Sequence, residues 1–149
     1  MLYTGSTIFC DDIREEISGK YSLIGCYRAD MVFEIPPPVV IAKFCVQISI
    51  RIPISETLPA LRVIIANVDP DAPPLAEINI DEAQLNSIRM QEPEHKKLGY
   101  EWVGLGVHAV LSPVQLSQPG LIEVFLASGT ETERIGSIRV VFPTTLKAV

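Results

Sequence analysis

The stretch Lys43–Pro53, K-F-C-V-Q-I-S-I-R-I-P, decides the fold. Apolar side chains occupy every even position from Phe44 to Ile52, and small or polar side chains alternate with most of them. A period of two sustained over such a length describes a β-strand with one face on a hydrophobic core and one facing water. A helix would scatter the same apolar side chains around its circumference. The strand therefore predicts a sheet whose apolar face is covered by a second layer.

The composition predicts one folded domain spanning residues 1–149. Hydrophobic residues make up 48% of the 149 residues and charged ones only 20%, which is too apolar for a disordered chain. A chain of this length buries enough surface to fold without a disulfide or a metal. No apolar run approaches the roughly 18 residues of a membrane span, and the N-terminus lacks the pattern of a secretory signal. We therefore expect neither a membrane partner nor secretion.

The net charge and the cysteines indicate which classes of partner and which compartment to expect. The chain has 12 Lys and Arg against 18 Asp and Glu, a formal net charge of −6. A protein of that sign repels phosphate backbones, so nucleic acid is not an expected partner. The cysteines Cys10, Cys26 and Cys45 form no C-x-x-C motif and cannot all pair. We expect reduced thiols packed as small hydrophobic groups, as is typical of a reducing compartment.

Turn residues recur along the chain at the spacing of short strands. Twelve prolines and nine glycines punctuate it, and Gly19 suits the turn of a hairpin between Ile13–Ile17 and Tyr21–Ile24. A helical turn is the alternative there. In the last third, alternating apolar residues predict further strands. The total of about seven to nine strands is expected of an antiparallel two-sheet β-sandwich of the immunoglobulin-like or Greek-key type.

One segment, near residues 81–90, favours a helix. Asp81 and Gln84 have the spacing of a capping box just before an apolar periodic stretch. A strand ending in S-I-R-M is the alternative. The charged stretch Glu92–Lys97 that follows predicts a surface loop. We therefore expect a mainly β fold with at most one short helix.

The stretch Phe9–Tyr27, F-C-D-D-I-R-E-E-I-S-G-K-Y-S-L-I-G-C-Y, carries a family resemblance. Its pattern, F-C-D-D-I-R-x-E-x-x-G-K-x-S-L-I-G followed by a proline-rich break and an apolar strand, resembles the opening of a bacterial, partly phage-associated family of small uncharacterised proteins, a domain of unknown function. The resemblance implies a compact β-rich domain and supplies no catalytic residue. The cysteine usage and the missing signal predict a cytoplasmic location, and the resemblance implies, as the alternative, assembly into a phage-type particle inside the bacterial cell.

Four acidic residues are candidate metal ligands: Asp11, Asp12, Asp69 and Asp71. Carboxylates in neighbouring loops bind calcium in some β-domains, where the ion takes 6–8 oxygen ligands. The same aspartates are also ordinary turn-capping residues that keep a sheet edge hydrated. A calcium- or carbohydrate-type ligand-binding domain is therefore the first alternative function, whereas the preferred function requires no cofactor.

The chain contains no motif for catalysis. Its two histidines, His95 and His108, lack the spacing of a helical zinc site. No nucleophile elbow, P-loop or dinucleotide-binding motif occurs, and Gly104-x-Gly106 falls within a predicted strand, where it indicates a bulge or close packing. The sequence therefore predicts that the protein is not an enzyme. A small enzyme whose site is built from distant residues is the second alternative.

Trp102, Phe125 and Val141 are candidate residues of an interaction surface. They fall on the outward or second face of predicted strands, where exposed aromatic side chains mark protein contacts. The alternative is that a second sheet or a helix covers them. Sheet edges also bind neighbouring chains. The preferred prediction is a non-catalytic protein-interaction or assembly module that binds a protein partner or a second copy of itself, such as a structural component of a phage-type particle.

Overall fold

The chain folds into two stacked β-sheets and a separate two-stranded ribbon. The computed structural model describes residues 3–53, 59–89 and 92–144. Within these ranges one sheet has four strands, and we call it sheet 1; the other has five strands and is sheet 2. The predicted mainly β, sandwich-like architecture is confirmed.

The described residues form eleven strands, which is more than the number predicted from the sequence. In chain order they are β1 (Thr4–Glu15), β2 (Tyr21–Cys26), β3 (Asp30–Val32), β4 (Val39–Ile41), β5 (Phe44–Pro53), β6 (Leu61–Ile65), β7 (Ala76–Ile80), β8 (Trp102–Leu111), β9 (Val114–Leu116), β10 (Gly120–Ser128) and β11 (Glu131–Val141). The strands β3, β4 and β9 have three residues each. Three residues show no periodicity, so the sequence does not indicate β4 and β9 and underestimates the count.

Each sheet leaves two strands at its edges. Sheet 1 has the order β2-β1-β5-β8, and its pairings are antiparallel. Sheet 2 has the order β3-β11-β10-β6-β7, and all its pairings are antiparallel except that β3 runs parallel to β11. The ribbon pairs β4 with β9. The predicted hairpin is also present, because β1 and β2 pair across a 3₁₀ turn at Ile17–Gly19.

Strand β5 occupies a central place in sheet 1 and supplies much of the core. Its even-numbered side chains, from Phe44 to Ile52, are at most 2% exposed. They pack in one hydrophobic cluster with the inward-facing side chains of sheet 2, which include Ile122, Val124, Leu126, Ile138 and Val140. Each fully buried side chain of this size contributes about 1.5–3 kcal/mol. The alternation that predicted a buried face is therefore confirmed.

The predicted helix near residues 81–90 is α1 (Glu82–Arg89). Its N-terminus has the reciprocal bonds of a capping box: the Gln84 N–H donates to Asp81 Oδ1 at 2.8 Å, and the Asp81 N–H donates to Gln84 Oε1 at 3.0 Å. A second short helix, α2 (Glu92–Lys97), follows in the stretch where the sequence predicted a loop. That segment carries no apolar side chain besides proline, so no helical periodicity was there to be seen.

The two sheets approach closely where β11 passes β1. The register between β10 and β11 shifts after Val124, and Ile135 is the extra residue of a β-bulge. Beside this bulge, a Cβ atom at Gly136 would lie 1.7 Å from Thr7 Oγ1. The contact between the sheets therefore requires glycine at this position.

Candidate binding surface on sheet 1

The hairpin of β1 and β2 folds back over the outer face of sheet 1. The Cys45 thiol in β5 donates to the main-chain oxygen of Asp11 at 3.7 Å. At the far end of the hairpin, Glu15 Oε1 lies 3.1 Å from His108 Nδ1 in β8. The Tyr21 and His108 rings meet edge to face with centroids 4.6 Å apart. The hairpin thus covers part of a sheet face that points away from the core.

The sequence predicted that the polar face of β5 meets water, and this holds for only half of the strand. Cys45 and Gln47 are 0% and 3% exposed, whereas Ser49 is half-buried and Arg51 is exposed. The buried amide of Gln47 bonds within the sheet, where its Nε2 donates to Ser49 Oγ at 2.8 Å. We call the uncovered part the open face. It consists of Thr4, Ser6, Ser49, Arg51, Trp102, Gly104 and Gly106.

The open face is a shallow trough. A hollow of about 410 Å³ lies over the hydroxyl groups of β1 and β5 and over Arg51. Beside it, a Cβ atom added to Gly104 or Gly106 would have no heavy atom within 4 Å. The interpretation of Gly104-x-Gly106 as a bulge or close packing is therefore wrong, since β8 also pairs with β5 without a register shift. Trp102, 42% exposed, lies at one end of this strand.

A cleft adjoins the open face at the outer edge of β8. It encloses about 470 Å³ between β8 on one side and β7 with α1 on the other. Its apolar lining consists of Ile78, Ile80, Ile88, Leu105 and Val107, and its polar lining includes Asn79, Gln84, Ser87 and His108. His108 therefore lies at the junction of the hairpin, the open face and the cleft.

The Glu15 carboxylate orients the His108 ring through Nδ1. The Glu15 side chain is 74% exposed and the His108 side chain 21%. A carboxylate bound to one ring nitrogen is the arrangement that orients an imidazole as a catalytic base. The serine of the cleft, Ser87, donates its hydroxyl to the Gln84 carbonyl oxygen at 2.7 Å instead. The side chain of His95, the other histidine of the chain, lies outside the described part.

Of the predicted metal ligands, Asp11 and Asp12 lie on the hairpin, where donors of the chain engage them. The Tyr27 hydroxyl donates to Asp11 Oδ1 at 2.9 Å. Burial, and then this hydrogen bond, raise the pKa of Tyr27 to about 12. Asp12 forms a hydrogen-bonded ion pair with Lys43. That bond lowers the pKa of the Asp12 carboxyl and raises the pKa of Lys43.

The other two candidate ligands, Asp69 and Asp71, lie in the loop between β6 and β7 of sheet 2. The Asp71 N–H donates to Asp69 Oδ1 at 3.0 Å, as in an ordinary aspartate-capped turn. The described ranges contain no group of three or more His, Cys, Asp or Glu side chains arranged to hold a metal ion. The two pairs of candidate ligands therefore lie on different sheets, and each pair has partners within the chain.

The three predicted interaction residues do not share one surface. Trp102 faces outward on sheet 1. Phe125 and Val141 are half-buried on the outer side of sheet 2, since their neighbours Val124 and Val140 point into the core. The outer faces of two stacked sheets point in opposite directions. These three residues therefore do not form a single patch, and a role of Trp102 in an interaction stays a prediction.

Sequence reasoning missed most of this surface. Glu15 and His108 are 93 positions apart, so no local motif could connect them. Ser49 and Arg51 look like any hydrated positions on an amphipathic strand. One local signal was available, the pair of glycines in β8 at alternate positions, because they remove side chains from one face of a strand.

The chain matches no protein-family model, no curated protein and no solved structure. No helix within the described ranges is long and apolar enough to cross a bilayer. The resemblance of Phe9–Tyr27 to a phage-associated family stays a prediction.

Proposed function

We propose that the protein is a non-catalytic protein-interaction module whose strand β8 pairs with an extended segment of a partner protein. The observation that carries the proposal is the contrast among the four sheet edges. The edge strands β2, β3 and β7 have six, three and five residues, whereas β8 has ten residues and none of them is Asp, Glu, Lys or Arg. Proteins normally protect such an edge with charge, proline or a bulge, because it templates pairing with another chain.

The backbone of β8 is oriented for that pairing. The Tyr27 N–H donates to the Phe9 carbonyl oxygen at 2.9 Å, which fixes the alternation of hydrogen-bonded positions through β1 and β5. By the register of these strands, Gly104, Gly106 and His108 direct their N–H and C=O groups away from β5. Glycine at two of the three positions lets a partner backbone approach without a side chain in the way.

The surroundings of β8 supply contacts that would distinguish one partner from another. An added strand presents alternate side chains to the two sides of the sheet. Side chains on one side would enter the apolar cleft beside Ile78, Ile88 and Leu105. Those on the other side would meet Trp102 and Arg51 on the open face, and Trp and Arg are the residue types that most often dominate binding energy at interfaces.

The biological setting is part of the proposal. The resemblance of the N-terminal stretch supports a structural component of a phage-type particle, assembled inside a bacterial cell. Strand addition suits such a role, because main-chain hydrogen bonds join subunits without a preformed deep pocket. The partner is then either another component or a second copy of this chain.

The test uses Gly106→Lys, which places a charge on the open face where the space above the glycine is empty. Light scattering over a concentration series and affinity capture from the source cells measure association. We expect the native protein to associate and Gly106→Lys to lose this association with an unchanged melting temperature. Thr132→Lys, at an exposed position of sheet 2, should behave as the native protein. The proposal is overturned if the native protein stays monomeric and captures nothing. It is also overturned if Gly106→Lys captures the same partner as the native protein.

A second candidate function, a small enzyme, is favoured by one observation, the Glu15-oriented His108 at the cleft. The pair would act as a general base for a ligand bound between β8 and α1. Turnover of chromogenic ester, phosphate and glycoside substrates by the native protein and by His108→Gln tests it. Activity that disappears in His108→Gln and falls in Glu15→Gln supports this function, and background rates in all three proteins end it.

A further inference from the structure

The three cysteines of the chain lie side by side across three neighbouring strands. Cys10 in β1 is the direct cross-strand partner of Cys26 in β2 and also of Cys45 in β5. Directly opposed residues of antiparallel strands point to the same face of a sheet. Cys10 and Cys45 are buried, whereas Cys26 is exposed. We call this arrangement the cysteine row.

The spacing of the cysteine row suits disulfide formation on both sides of Cys10. Phe9 and Tyr27 form a hydrogen-bonded pair, so the next pair, Cys10 and Cys26, is of the non-hydrogen-bonded kind, with Cα atoms about 4.5 Å apart. The same alternation makes Cys10 and Cys45 a hydrogen-bonded pair, with Cα atoms about 5.5 Å apart. Both separations fall within the roughly 4.4–6.8 Å that disulfides span.

We propose that the cysteine row is a thiol–disulfide exchange site, in which Cys26 reacts with a small disulfide such as oxidised glutathione and Cys10 then forms an internal disulfide with it. In the first step, the Cys26 thiolate attacks one sulfur of the small disulfide, and one small thiol leaves. In the second step, the Cys10 thiolate attacks the Cys26 sulfur and displaces the second small thiol. Two protein thiols are oxidised, and one small disulfide is reduced to two thiols.

Cys45 extends the site by one further exchange. Its thiolate can attack the Cys10 sulfur of the first disulfide, which forms a Cys10–Cys45 disulfide and releases Cys26 as a thiol. The first disulfide ties together the base of the hairpin, and the second ties β1 to β5 beneath it. A disulfide formed at the exposed Cys26 is thus exchanged for one between the buried Cys10 and Cys45. This activity is independent of the edge pairing proposed above.

The surroundings of Cys10 determine which step is slow. Burial, and then the neighbouring Cys45, Cys26 and Asp11, raise the pKa of the Cys10 thiol to about 11. The pKa of Cys45 is also raised by burial, against the effect of Lys43. Because only the thiolate attacks, the mixed disulfide on Cys26 should resolve slowly at neutral pH and faster as the pH rises.

The experiment treats the reduced full-length protein with oxidised glutathione and follows the intact mass, with peptide mapping of the disulfides formed. The native protein should first carry one glutathione and then lose it with formation of an internal disulfide. Cys10→Ala should stop at the glutathione adduct, and Cys45→Ser should give Cys10–Cys26 alone. Cys26→Ser should react at no more than roughly one tenth of the native rate, since its remaining thiols are buried.

Two results would overturn this inference. One is a native protein that keeps its glutathione adduct at pH 9 without forming an internal disulfide. The other is a Cys26→Ser variant that reacts as fast as the native protein. Circular dichroism of each variant, compared with the native spectrum, separates a change in reactivity from loss of folding. Peptide mapping of the native protein needs no variant and decides the pairing by itself.

Discussion

The two halves of the outer face of sheet 1 are built from the same strands but have different surroundings. In the covered half, Cys10 and Cys45 are completely buried beneath the hairpin. In the open half, Ser6 of the same strand as Cys10 and Arg51 of the same strand as Cys45 are exposed. The period of two is unbroken along both strands. Whether a strand's second face is buried is therefore decided by what folds over it, not by the strand's own pattern.

The two halves of this face also contain different functional groups. The covered half contains thiols and an amide that is bonded within the sheet, Gln47 to Ser49. The open half contains hydroxyl groups, a guanidinium, an exposed indole and two glycines with empty space above them. Groups that are hydrated in the isolated protein are free to exchange water for a partner. The proposed reaction with small oxidants and the proposed binding of a partner thus concern neighbouring but separate regions.

The largest effect should come from placing a charge in the covered half. Cys10→Asp puts a carboxylate at a site with 0% exposure, and an uncompensated buried charge costs about 3–5 kcal/mol of folding free energy. Ser6→Asp, on the same strand and face but exposed, should change stability by about 0.5 kcal/mol or less. Urea denaturation of both variants measures the difference. Equal midpoints would mean that the hairpin does not cover Cys10 in solution.

An intermediate effect should appear in alkaline solution. The Cys10 thiol has its pKa raised from 9.0 to about 11 in the folded protein, so the unfolded chain loses this proton at lower pH than the folded one. The unfolded state then binds fewer protons, and stability falls as the pH rises from about 9 to 11. The raised pKa of Tyr27, about 12, extends the fall in the same direction.

Urea midpoints at pH 8 to about 11, in the presence of a reductant, measure this slope. Cys10→Ala should make it shallower, because the variant lacks the buried thiol. Cys26→Ala, at the exposed end of the cysteine row, is the matched control and should stay close to the native slope, because burial is the largest cause of the shift at Cys10. Identical slopes for the two variants would contradict the assignment to burial.

The smallest effect should be found at the contact between the hairpin tip and β8. The Glu15 carboxylate that bonds the His108 ring is 74% exposed, and contacts between exposed polar side chains contribute about 0.2–1 kcal/mol. A double-mutant cycle with Glu15→Gln and His108→Gln, followed by urea denaturation, should give a coupling free energy in that range. A coupling several times larger would mean that this pair, not the burial beneath the hairpin, holds the hairpin down.

The fold could be predicted from the sequence wherever a pattern was long enough to repeat. Strand β5 and the late strands β8, β10 and β11 alternate over nine or more residues each, and the sandwich follows from them. The capping box of α1 was visible because its two residues are three positions apart. Helix α2 and the three-residue strands β4 and β9 were missed, because segments so short complete no repeat.

The candidate site could not be predicted in the same way, because distant segments assemble it. The four aspartates looked alike in sequence, yet Asp12 pairs with a lysine of the loop before β5 and Asp69 caps its own turn. The three cysteines looked unrelated, since nothing local shows that positions 10, 26 and 45 share one register. Their alignment depends on strand pairing, which a single sequence does not reveal.

The hairpin that closes over sheet 1 belongs to the first part of the chain. One of the residues that it packs against is His108, which is 93 positions beyond Glu15. Synthesis on the ribosome proceeds from the N-terminus, so this segment emerges long before β8 exists for it to rest on. During that interval the tip of the hairpin lacks its contacts with β8, so this end of sheet 1 is incomplete. A chaperone that shields early strands should therefore raise the yield of folded protein more than one that acts after release.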